Sequence, residues 1–298
     1  MRKHPVVVGL TLLIALGAVV YFMSYRAGLQ SVSGGSKYFS RNHKIGVVPV
    51  EGAITDSFEI AKNLEEFGED GSIIAVVVRI DSPGGGVAAS QEIYDAVVAL
   101  KKKKKVVASM GSIAASGGLL IACAADKIVA NPGTITGSIS AVMQFANVEE
   151  LMKKIGVKSS VVKSGPYKDI GSPMREMTPE EKVIIQELID DIYNQFIDVI
   201  VRDRKLTRPQ VIAIGDGRVF SGRKAKEYGL VDQLGDLAAA AKLAGTLAGS
   251  HGRYDLVYPP EKSPSILDYV LESAAGRFAR SVRQKAETWG GAGYLYIP

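Results

Sequence analysis

Cysteine and histidine are both scarce in this chain, and their placement removes several chemistries at once. The single cysteine, Cys123, excludes an intramolecular disulfide framework and any multi-cysteine metal site, and its apolar setting (LLIACAAD) suits a buried structural thiol. None of the three histidines, His4, His43 and His251, stands where a catalytic-triad base would be expected, and no His–His spacing suggests a metal site. Neither a GxxxxGK[ST] loop nor a complete GxGxxG fingerprint is present, so nucleotide binding is disfavoured and no cofactor is implied. The net charge of +5 owes much to the run Lys101 to Lys105, but no aromatics interleave it for base stacking. That run reads as a solvated helix end entering a strand, with no nucleic-acid partner expected.

What the chain has is first an uncharged apolar stretch, residues 6–23 (VVVGLTLLIALGAVVYFM). As a helix it covers about 27 Å of a hydrocarbon core of about 30 Å. A cleaved signal peptide is the rival reading, yet the run ends in Tyr21-Phe22-Met23 with no small-x-small site, which favours an uncleaved anchor. Basic residues flank it on both sides, so charge leaves the topology open. The expected organisation is a short N-terminus (1–5), the transmembrane anchor (6–23), a flexible tether (24–42), a catalytic domain (43–258) and a C-terminal tail (259–298) containing an amphipathic stretch over 266–282.

Within the folded region, apolar β-branched runs at 45–50 and 73–80 predict buried strands leading into glycine-containing turns. Helical spacing follows over 88–100, then a strand at 106–109, a small-residue helix at 114–125, a strand at 127–130, a helix at 148–155 and a strand at 158–162. Thr178-Pro179-Glu180-Glu181 is a capping signature that opens a long helix to about Arg204, with Asp190 and Asp191 on its solvated face. This alternation predicts an α/β fold built on a parallel sheet.

Three segments could carry chemistry. Gly111-Ser112-Ile113-Ala114-Ala115-Ser116-Gly117-Gly118 follows a strand and opens a helix, which would set Ser116 among free backbone amides that stabilise an oxyanion; a simple tight turn is the plain alternative. Asp81-Ser82-Pro83-Gly84-Gly85-Gly86 could turn a second amide toward the same oxygen. Lys163-Ser164-Gly165-Pro166-Tyr167-Lys168-Asp169 sets a lysine in a turn, where a surface role is the default. A lysine serving as general base near neutral pH must have its pKa lowered from about 10.4 toward 7 or 8, usually by burial. Ser138, in Thr136-Gly137-Ser138, offers a hydroxyl that could hold such a lysine.

In order and spacing, SPGGG, MGSIAASGG, TGS, KSGPYKD and DGRVFSGRKAKEYGLVDQLG resemble the signal peptide peptidases of the S49 family of Ser-Lys peptidases, over roughly residues 43 to 240. The resemblance implies a Clp protease/crotonase-like fold with Ser116 as nucleophile, Lys168 as general base and Ser138 positioning that lysine. It also implies an oxyanion hole from Gly117 and an amide among Gly84, Gly85 and Gly86. Two departures from the family pattern stand out: Leu119-Leu120 replaces an aromatic pair, and Asp81 stands where asparagine is common. The further implications are a catalytic domain outside the cytoplasmic membrane, cleaved signal peptides as substrates, and a homo-oligomer in which neighbouring subunits could share the dyad. Rival expectations are a related peptidase acting on a specific membrane protein, an acyl-CoA enzyme of the crotonase type, and a non-enzymatic membrane scaffold.

Overall fold

The computed structural model describes residues 43–250, 252–260 and, for the backbone, 293–295. The expected anchor and tether, and the amphipathic stretch over 266–282, lie outside the described residues. Among the described residues no helix is long and apolar enough to cross a membrane.

The first half of the chain alternates strand and helix: β1 (His43–Glu51), α1 (Phe58–Glu69), β2 (Ile73–Ser82), β3 (Gly84–Gly86), α2 (Val87–Lys101), β4 (Lys105–Ala115), α3 (Gly117–Cys123), β5 (Lys127–Ala130) and β6 (Ile135–Gly137). An excursion follows that carries only the short α4 (Glu149–Lys154), and then the long α5 (Pro179–Arg204). The remainder is α6 (Arg208–Ile212), β7 (Val219–Ser221), α7 (Gly222–Glu227), β8 (Gln233–Leu234), α8 (Leu237–Leu247), β9 (Tyr254–Val257) and β10 (Gly293–Leu295).

Strand order in the main sheet is β7-β6-β4-β2-β1-β9, with β5 beside β4 and β8 beside β5. All of its pairings are parallel except β6 with β7. The central strands are apolar on both faces because helices cover both. Val48, Val50, Val76, Val78, Ile80, Ala108 and Met110 face a core shared with α2, α3 and α5, whereas Ile45, Val47, Ala75, Val77 and Val107 meet Ala240, Ala241 and Ala244 of α8. The period-2 alternation of side chains thus feeds two helical layers from one run of residues.

The lysine run behaves as its sequence suggested. Helix α2 ends at Lys101 and β4 begins at Lys105, while Lys104 Nζ donates to the carbonyls of Phe67, in the last turn of α1, and Asp70, just past its end. The long helix also begins and ends as its signature predicted: Thr178 Oγ1 accepts from the Glu181 amide at 3.2 Å, and the Glu181 carboxylate accepts from the Thr178 amide at 2.9 Å.

Two expectations are corrected. Residues 158–162 form no strand; they are exposed, Val162 completely, because no strand among the described residues offers them a ladder. The helix expected from 114 begins only at Gly117, since β4 continues to Ala115. Its second half pairs with β6, in register Ala114↔Thr136 and Ala115↔Gly137, and this pairing outweighs the helical preference of a small-residue run.

Candidate active site

Ser116 occupies the single residue between the end of β4 and the first turn of α3, with φ 54° and ψ −117°. A positive φ is uncommon for a residue with a Cβ, and it persists only where the surroundings impose it. Two backbone bonds do so here: the Ser116 amide donates to the Gly137 carbonyl at 2.9 Å, and the Leu120 amide donates to the Ser116 carbonyl at 2.9 Å. The side chain is 1% exposed, and Ser116 Oγ has no hydrogen-bond partner among the described residues. A buried, unpaired hydroxyl on a strained hinge costs stability, which argues against a purely structural turn.

Ser138 lies beside it. The Ala115↔Gly137 ladder and the bond from the Ser116 amide set positions 116 and 138 side by side on adjacent strand ends. Ser138 also has positive φ (52°), is buried, and is fixed by its amide donating to the Arg218 carbonyl at 2.8 Å. Thr136 Oγ1 donates to the Ala114 carbonyl at 2.6 Å, which locks β6 against β4 just before the two serines.

The glycine turn approaches from the other side. A Cβ added to Gly117 would stand 2.4 Å from Ser90 Oγ and 3.4 Å from Gly84 Cα, so only glycine lets the start of α3 come this close to the 84–86 turn. The Gly84 amide donates to Ser82 Oγ at 3.1 Å, and Ser90 Oγ donates to the Gly86 carbonyl at 2.9 Å. Ser82 belongs to a segment singled out in the sequence for its glycines, whereas Ser90 lies outside all three such segments. The one signal available was Ser90 sharing the apolar helix face of Ile93, Tyr94 and Val97. Asp81 accepts the Ile113 amide at 3.1 Å where the β2–β4 register shifts; the carboxylate oxygen accepts just as an asparagine carbonyl would.

The Gly84 carbonyl and the Gly86 amide are both taken by Ile54, at 2.9 and 2.8 Å. Strand alternation therefore directs Gly85 to the opposite edge, and there β10 pairs antiparallel, in register Tyr294↔Gly85. A segment of the chain itself thus lies as an extended strand along the glycines next to Ser116.

Lys168 lies in the predicted Gly/Pro turn but is exposed, not buried, and it makes no hydrogen bond to Ser116. Its neighbour Asp169 is better covered and is held by several charged partners. Asp169 accepts from Arg175 Nε at 3.0 Å and Nη2 at 2.9 Å, and from Lys163 Nζ. Arg175 reaches on to Glu181, at 2.8 and 2.5 Å, and Glu181 is only 2% exposed. The Arg175 guanidinium, followed by Lys163, holds the Asp169 carboxyl well below the usual range. Arg175, with the Thr178 amide, likewise brings Glu181 down to about 2.

Among the described residues no group of three or more His, Cys, Asp or Glu side chains could hold a metal ion. A surface groove of about 780 Å³ runs between α1 and α2, lined in part by Ser57, Phe58, Leu64, Glu92 and Lys103. It includes neither Ser116 nor Lys168, and its size alone does not make it the reactive site.

Comparison with known proteins identifies the family. The family model for Peptidase family S49 matches residues 98–250, and that for Clp protease matches residues 43–136. The chain is 48% identical to "Putative protease slr0021" of Synechocystis sp. over 212 residues, covering 70% of this chain and 76% of the relative. It is 34% identical to "Putative signal peptide peptidase SppA" of Enterococcus faecium, covering 65% of this chain and 60% of that protein. It is also 37% identical to "Protease 4" of Salmonella typhi, covering 78% of this chain but only 39% of that longer protein. With the S49 match spanning half of the chain and containing both Ser116 and the turn of Lys168, this protein belongs to peptidase family S49: it is a protease on a Clp-protease-like α/β fold.

Proposed function

We propose that the protein is a membrane-anchored serine endopeptidase that uses Ser116 as nucleophile and Lys168 as general base to degrade cleaved signal peptides. The observation that carries this reading is the buried, unpaired Ser116 Oγ on a strained hinge, beside a glycine turn whose free edge accepts an extended strand. Peptides bind such edges through main-chain hydrogen bonds, which suits substrates that vary in side chain but share an apolar character.

In the proposed reaction, neutral Lys168 takes the Ser116 proton as Oγ attacks the scissile carbonyl. The Gly117 amide and one from the Gly84–Gly85 turn stabilise the oxyanion, and the Gly84 amide exchanges its bond to Ser82 Oγ for one to the new charge. The amine leaves with the proton held by Lys168, and water then resolves the acyl-enzyme. Ser138 Oγ, beside Ser116, holds the approaching lysine.

The exposure of Lys168 supports sharing the dyad between copies, with the lysine turn of one subunit covering Ser116 of the next. Exposed apolar residues favour the same assembly: Val157, Val161 and Val162 precede the turn, and Val183, Ile184 and Leu188 line the start of α5. The apolar run over 6–23 would anchor each subunit in the cytoplasmic membrane, with the catalytic domain on the extracytoplasmic side.

The test is complementation. Ser116→Ala and Lys168→Ala are each expected to abolish cleavage of a synthetic signal peptide while leaving assembly intact. Co-assembly of the two inactive variants should restore about a quarter of the wild-type rate if neighbours share the dyad. No restoration would mean that serine and lysine act within one chain, and full activity of either single variant would remove its assigned role.

A further inference from the structure

The turn that carries Lys168 has little regular structure of its own, yet one charged network ties it to a buried glutamate, Glu181, in the first turn of a long helix. Arg175 makes a two-toothed contact with Asp169, the residue following Lys168, and also donates through Nη2 to the Asp169 carbonyl at 3.3 Å. The same guanidinium grips Glu181, and Glu181 is in turn held by the capping box of α5. Rigid planar geometry makes arginine suited to joining two carboxylates in this way, and a lysine could not reproduce both contacts.

We propose that Arg175 is a positioning residue for Lys168: through Asp169 it locks the lysine turn onto the start of α5 and cancels the carboxylate charge next to the base. This inference rests on the reading of Lys168 as general base. An unpaired carboxylate adjacent to a lysine favours its protonated form, which cannot accept the serine proton. Other charges are already balanced here. Lys163 also pairs with Asp169; Glu181 enters from α5; and on α4, Glu149 pairs with Lys153 while lying against the Glu176 amide. Arg175 is the group that bridges two of these elements, so its loss removes the bidentate partner of Asp169 and leaves Lys163 as the remaining counter-charge.

The experiment is the pH dependence of kcat/KM for peptide cleavage by the assembled full-length enzyme, in the wild type, Arg175→Met, Arg175→Lys, Asp169→Asn and Lys168→Ala. Activity rises with pH as the general base loses its proton. Arg175→Met should move that rising limb up by about one pH unit, a loss of about tenfold at a pH below the limb. Arg175→Lys should give a smaller upward shift, because charge is kept and the bidentate geometry is lost. Asp169→Asn should move the limb the opposite way, since it removes the anion and leaves Arg175 in place; this variant also keeps the test decisive if Arg175→Met folds poorly. Opposite shifts in the arginine and aspartate variants would establish the role. A limb that stays put in both, with rates reduced evenly at every pH, would overturn it and leave the network purely structural. Full activity of Lys168→Ala would instead remove the general-base reading underneath, and that result is separable from a failure of the Arg175 proposal alone.

Discussion

Gly117→Ala tests the closest approach in the site. The new methyl would stand 2.4 Å from Ser90 Oγ, a distance that side chains do not tolerate, and 3.2 Å from Ser90 Cβ, with Gly84 Cα at 3.4 Å behind. Either Ser90 must give up its bond to the Gly86 carbonyl or α3 must move away from the glycine turn. Overpacking of this kind costs about 1–3 kcal/mol. Displacing the Gly117 amide removes one oxyanion donor, worth about 10²–10³ in kcat. Ser90→Ala alone should cost about 1 kcal/mol for the lost hydrogen bond and leave kcat nearly unchanged. In the double variant the 2.4 Å contact is gone and the milder contacts at 3.2 Å with the methyl left at position 90 and 3.4 Å with Gly84 Cα remain, so the destabilisation should be smaller than the sum of the single effects by about 1 kcal/mol. Denaturant unfolding and single-turnover cleavage measure the two quantities. Additive stabilities within about 0.5 kcal/mol, or a wild-type kcat for Gly117→Ala, would refute the close packing and the donor role respectively.

Other outcomes follow from the same geometry. Ser138→Ala should reduce cleavage less than Ser116→Ala does, because it removes a contact that holds the lysine while leaving nucleophile and base in place; equal and complete loss in steady-state assays would give Ser138 a larger part. Deleting residues 293–298 should lower KM for an added peptide by clearing the edge of Gly84–Gly86, and an unchanged KM would show that β10 does not compete with substrate. Burial pushes the Cys123 thiol up to about 12, so maleimide should leave the folded protein unlabelled at pH 8 and label it once unfolded; rapid labelling of the native chain would contradict its place in the core. The carboxyls of Asp169 and Glu181 are held below their ordinary values, so their stabilising effect is fully present above about pH 4.5 and fades as pH falls toward about 2. Acid unfolding followed by circular dichroism should accordingly begin at higher pH in Glu181→Gln than in the wild type.

Much of this protein was legible in one dimension, and for identifiable reasons. Strands β1, β2 and β5, helix α2 and the whole of α5 could be read from local periodicity and capping because their physical causes lie within a few neighbouring residues. Glycine and small-residue runs marked the segments of Ser116, Ser138 and Lys168 as places where the backbone could be used directly, and the role of each residue within them came from the family resemblance. The missed features depend on partners distant in sequence. Ser82 and Ser90 became part of the site only when the glycine turn met the start of α3, and the strand character of Ala114 and Ala115 was decided by β6, more than twenty residues downstream.

By itself, then, the sequence determined the α/β alternation and the residue types available for chemistry, since patterning and turn composition act locally. Tertiary structure decided which of those residues meet. It brought Gly84 against Gly117, set Ser138 beside Ser116, laid β10 along the glycine edge, and left Lys168 exposed on a turn fastened by Arg175. These relations come from long-range strand pairing and from a guanidinium shared between two elements, and no local window of the chain contains either.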